Sequence, residues 1–116
     1  MKVLIADDQA DVLNALMVLL EQQEGRFVIE EAEDADSLLS KVEKFRPELL
    51  LLDWELSNRD MAEVVPVIKK MAGEVRIIAM SVRPEARDMA LYAGADAFVS
   101  KGDNSDKLLS VIYTIR

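Results

Sequence analysis

Four consecutive leucines, Leu49 to Leu52, run without a polar break and end at the carboxylate of Asp53. A short apolar run of this kind is typical of a strand that is buried on both faces, as in a parallel sheet covered by helices. In such open sheets, ligands bind in the crevice beyond the carboxyl ends of the strands. The run therefore predicts a central strand that places Asp53 at a ligand-binding edge.

The rest of the chain alternates strand and helix signals with short connections. Strand-like runs cover residues 3–6, 26–31, 49–52, 75–80 and 96–100, and helical periodicity or capping marks residues 10–23, 35–45, 61–71, 84–93 and 104–115. Gly25 is interpreted as the end of the first helix, and Pro66 predicts that the third helix begins late or kinks. Five such units predict one α/β domain, residues 1–116, with a doubly wound five-stranded parallel sheet and helices on both faces.

Composition argues against several kinds of function. The chain has no cysteine, which suits a reducing compartment, and no histidine, which removes the commonest general base and metal ligand. Its formal net charge of −8 argues against nucleic-acid binding by this domain, because affinity for phosphates comes from clustered Lys and Arg. No apolar run approaches the roughly 20 residues of a membrane helix, and no signal peptide is recognisable. We therefore expect a cytoplasmic protein that does not contact a membrane.

Polar side chains follow four of the five predicted strands. Asp7 and Asp8 follow the first strand, Asp53 the third, Ser81 the fourth and Lys101 the fifth. Taken singly, each has an ordinary explanation, since Asp and Ser are common in caps and turns and Lys is common on solvated surfaces. Because the carboxyl ends of parallel strands meet at one edge, the coincidence of all five indicates a functional site.

The charges of this set predict what it binds. Two carboxylates about 4 Å apart repel each other by about 4 kcal/mol at an effective dielectric constant of about 20. Lys101 offsets only one of three negative charges, so the site needs a proton or a cation. Mg²⁺ fits, because proteins commonly hold it by one or two carboxylates together with water and a phosphate. We therefore predict a site for a phosphoryl group that contacts Mg²⁺, Lys101 and the Ser81 hydroxyl, with Asp53 as the nucleophile.

Over essentially its full length, the chain resembles the response-regulator receiver domains of bacterial two-component signalling. The residues that carry the resemblance are the Asp7-Asp8 pair, Asp53 after the leucines, Ser81 after residues 77–80, the segment 94–98, and Lys101. The resemblance implies a flavodoxin-like fold with strand order 2-1-3-4-5. It also implies a phosphoacceptor rather than an enzyme, in which Asp53 receives a phosphoryl group from a histidine kinase or phosphotransfer protein and loses it slowly.

The resemblance further implies a set of metal ligands. Mg²⁺ would be bound by Asp8, Asp53 and the backbone carbonyl of Glu55, and Asp7 would act through water. Where most family members have Pro after the lysine, this chain has Gly102. Because a cis bond without proline costs about 2.5–4 kcal/mol, we expect a trans bond there.

A conformational switch is also implied by the resemblance. Ser81 and Phe98 would be the switch residues, although an aromatic residue on a buried strand is also an ordinary core residue. The switch would change the face formed by the fourth helix, fifth strand and fifth helix, which would contact an output partner or domain and could support a phosphorylation-dependent dimer. Candidate contact residues on that face are Ala90, Tyr92 and Tyr113.

Three further residues are predicted to set how fast the phosphoryl group is lost. Glu55 and Arg83 occupy the two positions that tune this rate in the family, and Val82 replaces a smaller residue, which narrows access to Asp53. We expect the opposite charges of Glu55 and Arg83 to pair across the mouth of the site. The alternative is two independent solvated side chains.

Other functions remain as alternatives. A small haloacid-dehalogenase-like phosphatase also combines an Asp nucleophile with Mg²⁺, a hydroxyl and Lys, but its second acid is matched only loosely by Glu55, and 116 residues leave no room for a cap domain. A degenerate receiver that only binds proteins is kept open by Val82 and by Ser57 and Met61, which replace a usual Pro and Gly. A flavin site is disfavoured, since Asp7 and its neighbour would repel the cofactor phosphate.

Overall fold

Five strands and five helices alternate along residues 1–57 and 59–115, which are the residues that the computed structural model describes. The strands are β1 (Lys2–Ala6), β2 (Val28–Ala32), β3 (Leu49–Asp53), β4 (Arg76–Ser81) and β5 (Ala97–Ser100). The helices are α1 (Ala10–Glu21), α2 (Ala35–Phe45), α3 (Met61–Met71), α4 (Ala86–Ala93) and α5 (Ser105–Ile115). All pairs of neighbouring strands are parallel, and the order β2-β1-β3-β4-β5 confirms the predicted doubly wound sheet. Asn58 and Arg116, which fall within the predicted domain, lie outside the described residues.

The leucine strand β3 lies at the centre of the sheet, between β1 and β4, and all five of its residues are buried. Leu50 and Leu52 pack into the core beneath α2, α3 and α4, whereas Leu49 and Leu51 pack into the core beneath α1 and α5. Burying one such side chain contributes about 1.5–3 kcal/mol. Because both faces of β3 are covered, no position before Asp53 needs a polar residue.

Side-chain caps fix the starts of α2 and α3. The Asp34 carboxylate accepts the backbone N–H of Ser37 at 2.7 Å, and the Ser37 hydroxyl accepts the backbone N–H of Asp34 at 3.3 Å. The Asp60 carboxylate accepts the N–H of Ala62 at 2.9 Å, so α3 begins directly after this cap. α3 therefore spans Met61–Met71 as its periodicity predicted, and of the two alternatives drawn from Pro66 the late start is wrong. Pro66 lies on the exposed side of α3, where water can replace the missing backbone donor.

Two other helix bounds differ from the prediction. α1 ends at Glu21 and Gln22 caps it in a right-handed conformation, so Gly25, with φ of 99°, belongs to the following turn and does not end the helix. α4 begins at Ala86, because the N–H of Ala86 bonds the carbonyl of Arg83 at 3.0 Å in a turn that precedes the helix. In both cases, residues that the periodicity assigned to the helix form a tight turn beside it.

The Lys101–Gly102 bond is trans as predicted, since none of the peptide bonds in the described residues is cis. The last helix begins after Asn104, whose side-chain oxygen accepts the N–H of Lys107 at 3.2 Å. None of the helices in the described parts of the chain combines the length and the apolar character that crossing a membrane requires.

Candidate functional site

The predicted site residues converge at the carboxyl edge of the sheet. The parallel register aligns Ala6 of β1 with Leu52 of β3, so Asp7 follows β1 at the level where Asp53 ends β3. Ser81 ends β4 opposite Ser100 of β5, and the lysine that follows β5 comes next to it. The sheet alone therefore brings four strand ends together, as the sequence predicted.

Lys101 links two buried carboxylates directly. Its ammonium nitrogen Nζ lies 2.8 Å from Asp7 Oδ2 and 3.2 Å from Asp53 Oδ1. Asp7 and Asp53 are only 2% and 5% exposed, and the Lys101 side chain is 15% exposed. The ion pairs are therefore largely shielded from water, and removing Lys101 would leave two buried carboxylates without a compensating cation.

The two carboxylate oxygens of Asp53 differ in their surroundings. Oδ1 accepts the backbone N–H of Glu55 at 3.1 Å and contacts Lys101. Among residues 1–57 and 59–115, no group donates a hydrogen bond to Oδ2. Every fully buried side-chain oxygen of these residues has a hydrogen-bond partner, so Oδ2, which has none, is not fully buried. Oδ2 is therefore the accessible oxygen of Asp53.

Burial and neighbouring charges shift the proton affinities of this site. Burial raises the pKa of Asp53 and the charge of Asp7 raises it further, and together they outweigh the Glu55 N–H and Lys101, which lower it. Burial lowers the pKa of Lys101, but the hydrogen bond to Asp7 and the charge of Asp53 outweigh burial and leave it raised. Lys101 therefore stays protonated, yet it does not fully offset the negative charge.

Three carboxylates form an arrangement that suits a hard cation. One oxygen each from Asp7, Asp8 and Asp53 lie within 4.8 Å of one another. Carboxylate oxygens are the preferred ligands of Mg²⁺, and Asp8 is exposed at the open side of the cluster. Both oxygens of Asp7 already accept hydrogen bonds, from the Gln9 N–H at 2.9 Å and from Lys101 at 2.8 Å. The donor set of these three carboxylates fits a divalent cation.

Ser81 forms a hydrogen bond with a neighbour, Glu55, that was not predicted to contact it. Its hydroxyl donates to the Glu55 carboxylate, at 2.8 Å from Oε1 and 3.0 Å from Oε2, and accepts the backbone N–H of Arg83 at 3.0 Å. The Arg83 guanidinium lies 3.2 Å from Glu55 Oε2, so the predicted pairing of Glu55 and Arg83 is present. No pattern in the sequence signals the bond between Glu55 and Ser81, because it depends on the side-chain rotamers of both residues.

The remaining predicted residues lie around this centre. Val82 is 69% exposed beside the site, and Phe98 is half-buried and packs against the core beneath α2, α3 and α4. Tyr92 of α4 is 93% exposed, and the Tyr113 hydroxyl of α5 donates to the Gln23 side chain at 3.3 Å. Ala90 was wrongly predicted to be a surface contact, because it lies on the inner side of α4.

These features define an α/β protein whose strand ends hold an acidic cluster bridged by a lysine. The family model described as "Response regulator receiver domain" matches residues 3–113. The chain therefore belongs to the response regulator receiver domain family. The order of the strands and the position of the acidic cluster are those that the resemblance implied.

Individual relatives agree with this assignment. The chain is 27% identical, over 98% of its length, to the phosphate regulon transcriptional regulatory protein PhoB of Klebsiella pneumoniae. It is 33% identical, over 94% of its length, to the nitrogen assimilation regulatory protein NtrX of Azorhizobium caulinodans. It spans 51% of that PhoB and 24% of that NtrX, so it corresponds to only part of each relative.

A solved structure with the same fold is the response regulator receiver domain protein (CheY-like) from Methanospirillum hungatei JF-1. It superposes with a TM-score of 0.87 at 28% sequence identity, and the match covers 97% of this chain and 90% of that chain. The flavodoxin-like arrangement of five parallel strands is thus shared along nearly the whole of both chains.

Proposed function

We propose that this chain is a receiver domain that accepts a phosphoryl group on Asp53 from a partner histidine kinase or phosphotransfer protein. The observation that carries the proposal is the bridge of Lys101 Nζ between Asp7 at 2.8 Å and Asp53 at 3.2 Å, inside an acidic cluster at the strand ends. One oxygen of Asp53 is held by this bridge while the other stays accessible. A positioned nucleophile beside a fixed positive charge suits phosphoryl transfer.

The proposed reaction needs no histidine on this chain. Asp53 Oδ2 attacks the phosphorus of a phosphohistidine on the partner, and the O–P bond forms as the P–N bond breaks. The electron pair of the broken bond returns to the partner's imidazole ring. Lys101 offsets the negative charge that arrives with the phosphoryl group, and the Ser81 hydroxyl donates to one of its oxygens. The product is an acyl phosphate on Asp53, which water then hydrolyses slowly.

The acidic cluster supports the proposed Mg²⁺ site. Asp8, Asp53 and the backbone carbonyl of Glu55 would hold the ion, and Asp7 would contact it through water. Each oxygen of Asp7 already accepts one hydrogen bond, and one of these comes from the Lys101 ammonium, which supports this indirect role. When bound, Mg²⁺ would supply further neutralisation of the phosphoryl oxygens.

The proposal includes an output through the face formed by α4, β5 and α5. Its support is the exposure of Met89 and Tyr92, three residues apart on α4, at 60% and 93%. Ser81 and Phe98 are the proposed switch residues that would couple the phosphoryl group to this face. Glu55, Arg83 and Val82 are the proposed residues that set its lifetime, on the basis of their position at the mouth of the site.

The proposed partners follow from the relatives and from the charge of the chain. Both relatives are named as regulatory proteins, which supports an output domain or protein, and a dimer that forms on phosphorylation is part of the proposal. With a net charge of −8, this domain itself would bind neither nucleic acid nor a membrane surface. The absence of cysteine from the sequence suits the cytoplasm as the proposed compartment.

Intact-mass measurement after incubation with Mg²⁺ and acetyl phosphate tests the proposal. The wild type should gain one phosphoryl group, and hydroxylamine should remove it, because hydroxylamine cleaves acyl phosphates. Asp53→Asn should gain none. Asp60→Asn is a suitable control, because Asp60 lies beyond the site as the cap of α3. Equal gains in the wild type and in Asp53→Asn would contradict the proposal.

A further inference from the structure

The Ser81 hydroxyl already donates its only proton and accepts one hydrogen bond in this structure. Its single proton is shared between the two oxygens of the Glu55 carboxylate, at 2.8 Å and 3.0 Å, and its oxygen accepts the Arg83 N–H at 3.0 Å. Ser81 is 0% exposed, so bulk water does not compete for these contacts. A hydroxyl has one donor, so it can serve Glu55 or another anion but not both.

Glu55 is held at both ends. Its backbone N–H donates to Asp53 Oδ1 at 3.1 Å, and its carboxylate accepts both the Ser81 hydroxyl and the Arg83 guanidinium, the latter at 3.2 Å. The Glu55 side chain is 37% exposed and that of Arg83 is 54% exposed, so this carboxylate can leave Ser81 without entering the core. Glu55 therefore connects the reactive residue to the hydroxyl through two separate groups.

We propose that Glu55 is a positioning residue that keeps the Ser81 hydroxyl from the phosphoryl position, so that a phosphoryl group on Asp53 must take this hydroxyl from the Glu55 carboxylate. The inference rests on the proposed function, because it needs a phosphoryl group at Asp53. A carboxylate and a phosphoryl oxygen are both anionic acceptors and form charge-assisted hydrogen bonds of similar strength. The exchange is therefore nearly balanced, and Glu55 sets how readily the phosphorylated conformation forms.

Removing Glu55 would have two effects that must be separated. It frees the Ser81 hydroxyl, and it also removes a negative charge that repels the incoming anion. Only the release of the hydroxyl depends on whether the side chain at position 55 can accept a hydrogen bond from Ser81. Glu55→Ala and Glu55→Gln remove the same charge, but the glutamine keeps a carbonyl oxygen that can accept the hydroxyl. The two variants therefore distinguish competition for the hydroxyl from simple repulsion.

The test is the apparent affinity for beryllofluoride, a mimic of the phosphoryl group, measured with saturating Mg²⁺. Trp54 supplies the signal, because it is the only tryptophan, follows Asp53 directly and is 7% exposed. We expect Glu55→Ala to tighten binding by about tenfold, the size of one charge-assisted hydrogen bond that no longer competes. Glu55→Gln should tighten it by clearly less. Equal gains in the two variants would overturn the inference.

A second comparison uses Ser81 itself. In the Ser81→Ala background the hydroxyl is absent, so Glu55→Ala should produce only the effect of the lost charge. Glu85→Ala is the matched control. Glu85 is an exposed glutamate on the connection between Ser81 and α4, and its side chain does not cap α4. The same tenfold gain with and without the hydroxyl would overturn the inference.

The two proposals fail in different ways. Wild type that does not respond to beryllofluoride, or that responds as Asp53→Asn does, would contradict the proposed function and the inference with it. A wild type that binds through Asp53 while its two Glu55 variants behave identically would contradict the inference alone. Unchanged unfolding midpoints of the Glu55 variants would show that the fold is intact in this comparison.

Discussion

The two sides of the site are held together in different ways. On one side, Lys101 joins Asp7 and Asp53 by direct ion pairs between buried groups at strand ends. On the other side, the Ser81 hydroxyl is bound by the Glu55 carboxylate, which reaches the surface and pairs with an exposed arginine. The first side is fixed by the register of the sheet. The second side depends on side-chain conformations, so it can exchange partners without moving a strand.

Lys101→Met should have the largest effect, because it would destabilise the fixed side of the site. It leaves Asp7 and Asp53 facing each other without a cation, and removing one partner of a buried ion pair costs about 3–5 kcal/mol. We expect a loss of about 3 kcal/mol in the free energy of unfolding, measured in urea without Mg²⁺. Lys107→Met, which changes an exposed lysine of α5, should stay within about 0.5 kcal/mol of the wild type. An unchanged urea midpoint for Lys101→Met would show that the bridge is not structural.

Asp8→Asn should weaken Mg²⁺ binding without disturbing the ion pairs of Lys101. Asp8 contributes one of the three clustered carboxylates and is exposed, so its loss removes a ligand but no buried contact. We expect about a tenfold rise in the dissociation constant for Mg²⁺, followed through Trp54 fluorescence. Asp11→Asn removes an exposed charge nearby in α1 and should change the constant much less. Equal effects of the two variants would argue against a direct role for Asp8.

Asp53→Asn should raise the stability of the fold in the absence of Mg²⁺, by less than Lys101→Met lowers it. The pKa of Asp53 is raised by burial, so the folded state binds a proton more readily than the unfolded state. Wild-type stability therefore falls as the pH rises through the ordinary aspartate pKa toward the raised value. The gain in the free energy of unfolding should be largest above the raised pKa of Asp53. It should vanish below the ordinary aspartate pKa, where Asp53 is protonated in both the folded and the unfolded wild type. Urea unfolding over this pH range measures it, and a gain that does not change with pH would contradict the cause.

Replacing both Glu55 and Arg83 by alanine should have the smallest effect, because it changes only the partly exposed side of the site. Their side chains are 37% and 54% exposed, and exposed pairs contribute about 0–1 kcal/mol. If the pair hinders the attacking water, the phosphoryl group should be lost faster, by no more than about fivefold. The decay of phosphorylated protein after removal of acetyl phosphate measures this lifetime. An unchanged lifetime would end the proposed role of the pair.

The side of the site that contains Lys101, Asp7 and Asp53 was predictable, because these residues end or directly follow strands that the sequence pattern identifies. The run that ends at Asp53 identified the central strand, and parallel strands bring their carboxyl ends together whatever the helices do. The strand order itself came from the resemblance, since periodicity does not determine which strands are neighbours. Lys101 was placed correctly because it follows β5 directly.

The side of the site around Glu55, Ser81 and Arg83 was predictable only in part. The pairing of Glu55 with Arg83 followed from opposite charges on neighbouring strand ends, and it is present. The bond from Ser81 to Glu55 was missed, because it depends on which rotamers three neighbouring side chains adopt together. Ala90 was placed on the wrong side of α4 for a related reason. A short helix of eight residues fixes its rotational phase poorly from sequence, and Ala90 is fully buried.

The central claim is that the phosphoryl group is received by Asp53. The most direct measurement is to phosphorylate the wild type with acetyl phosphate and Mg²⁺, reduce the acyl phosphate with borohydride, and locate the modified residue by peptide mass spectrometry. Reduction converts a phosphorylated aspartate to homoserine, so the account predicts homoserine at position 53 and unmodified aspartate at positions 7 and 8. Homoserine at either of those two positions, or a stable phosphate ester on Ser81, would contradict it.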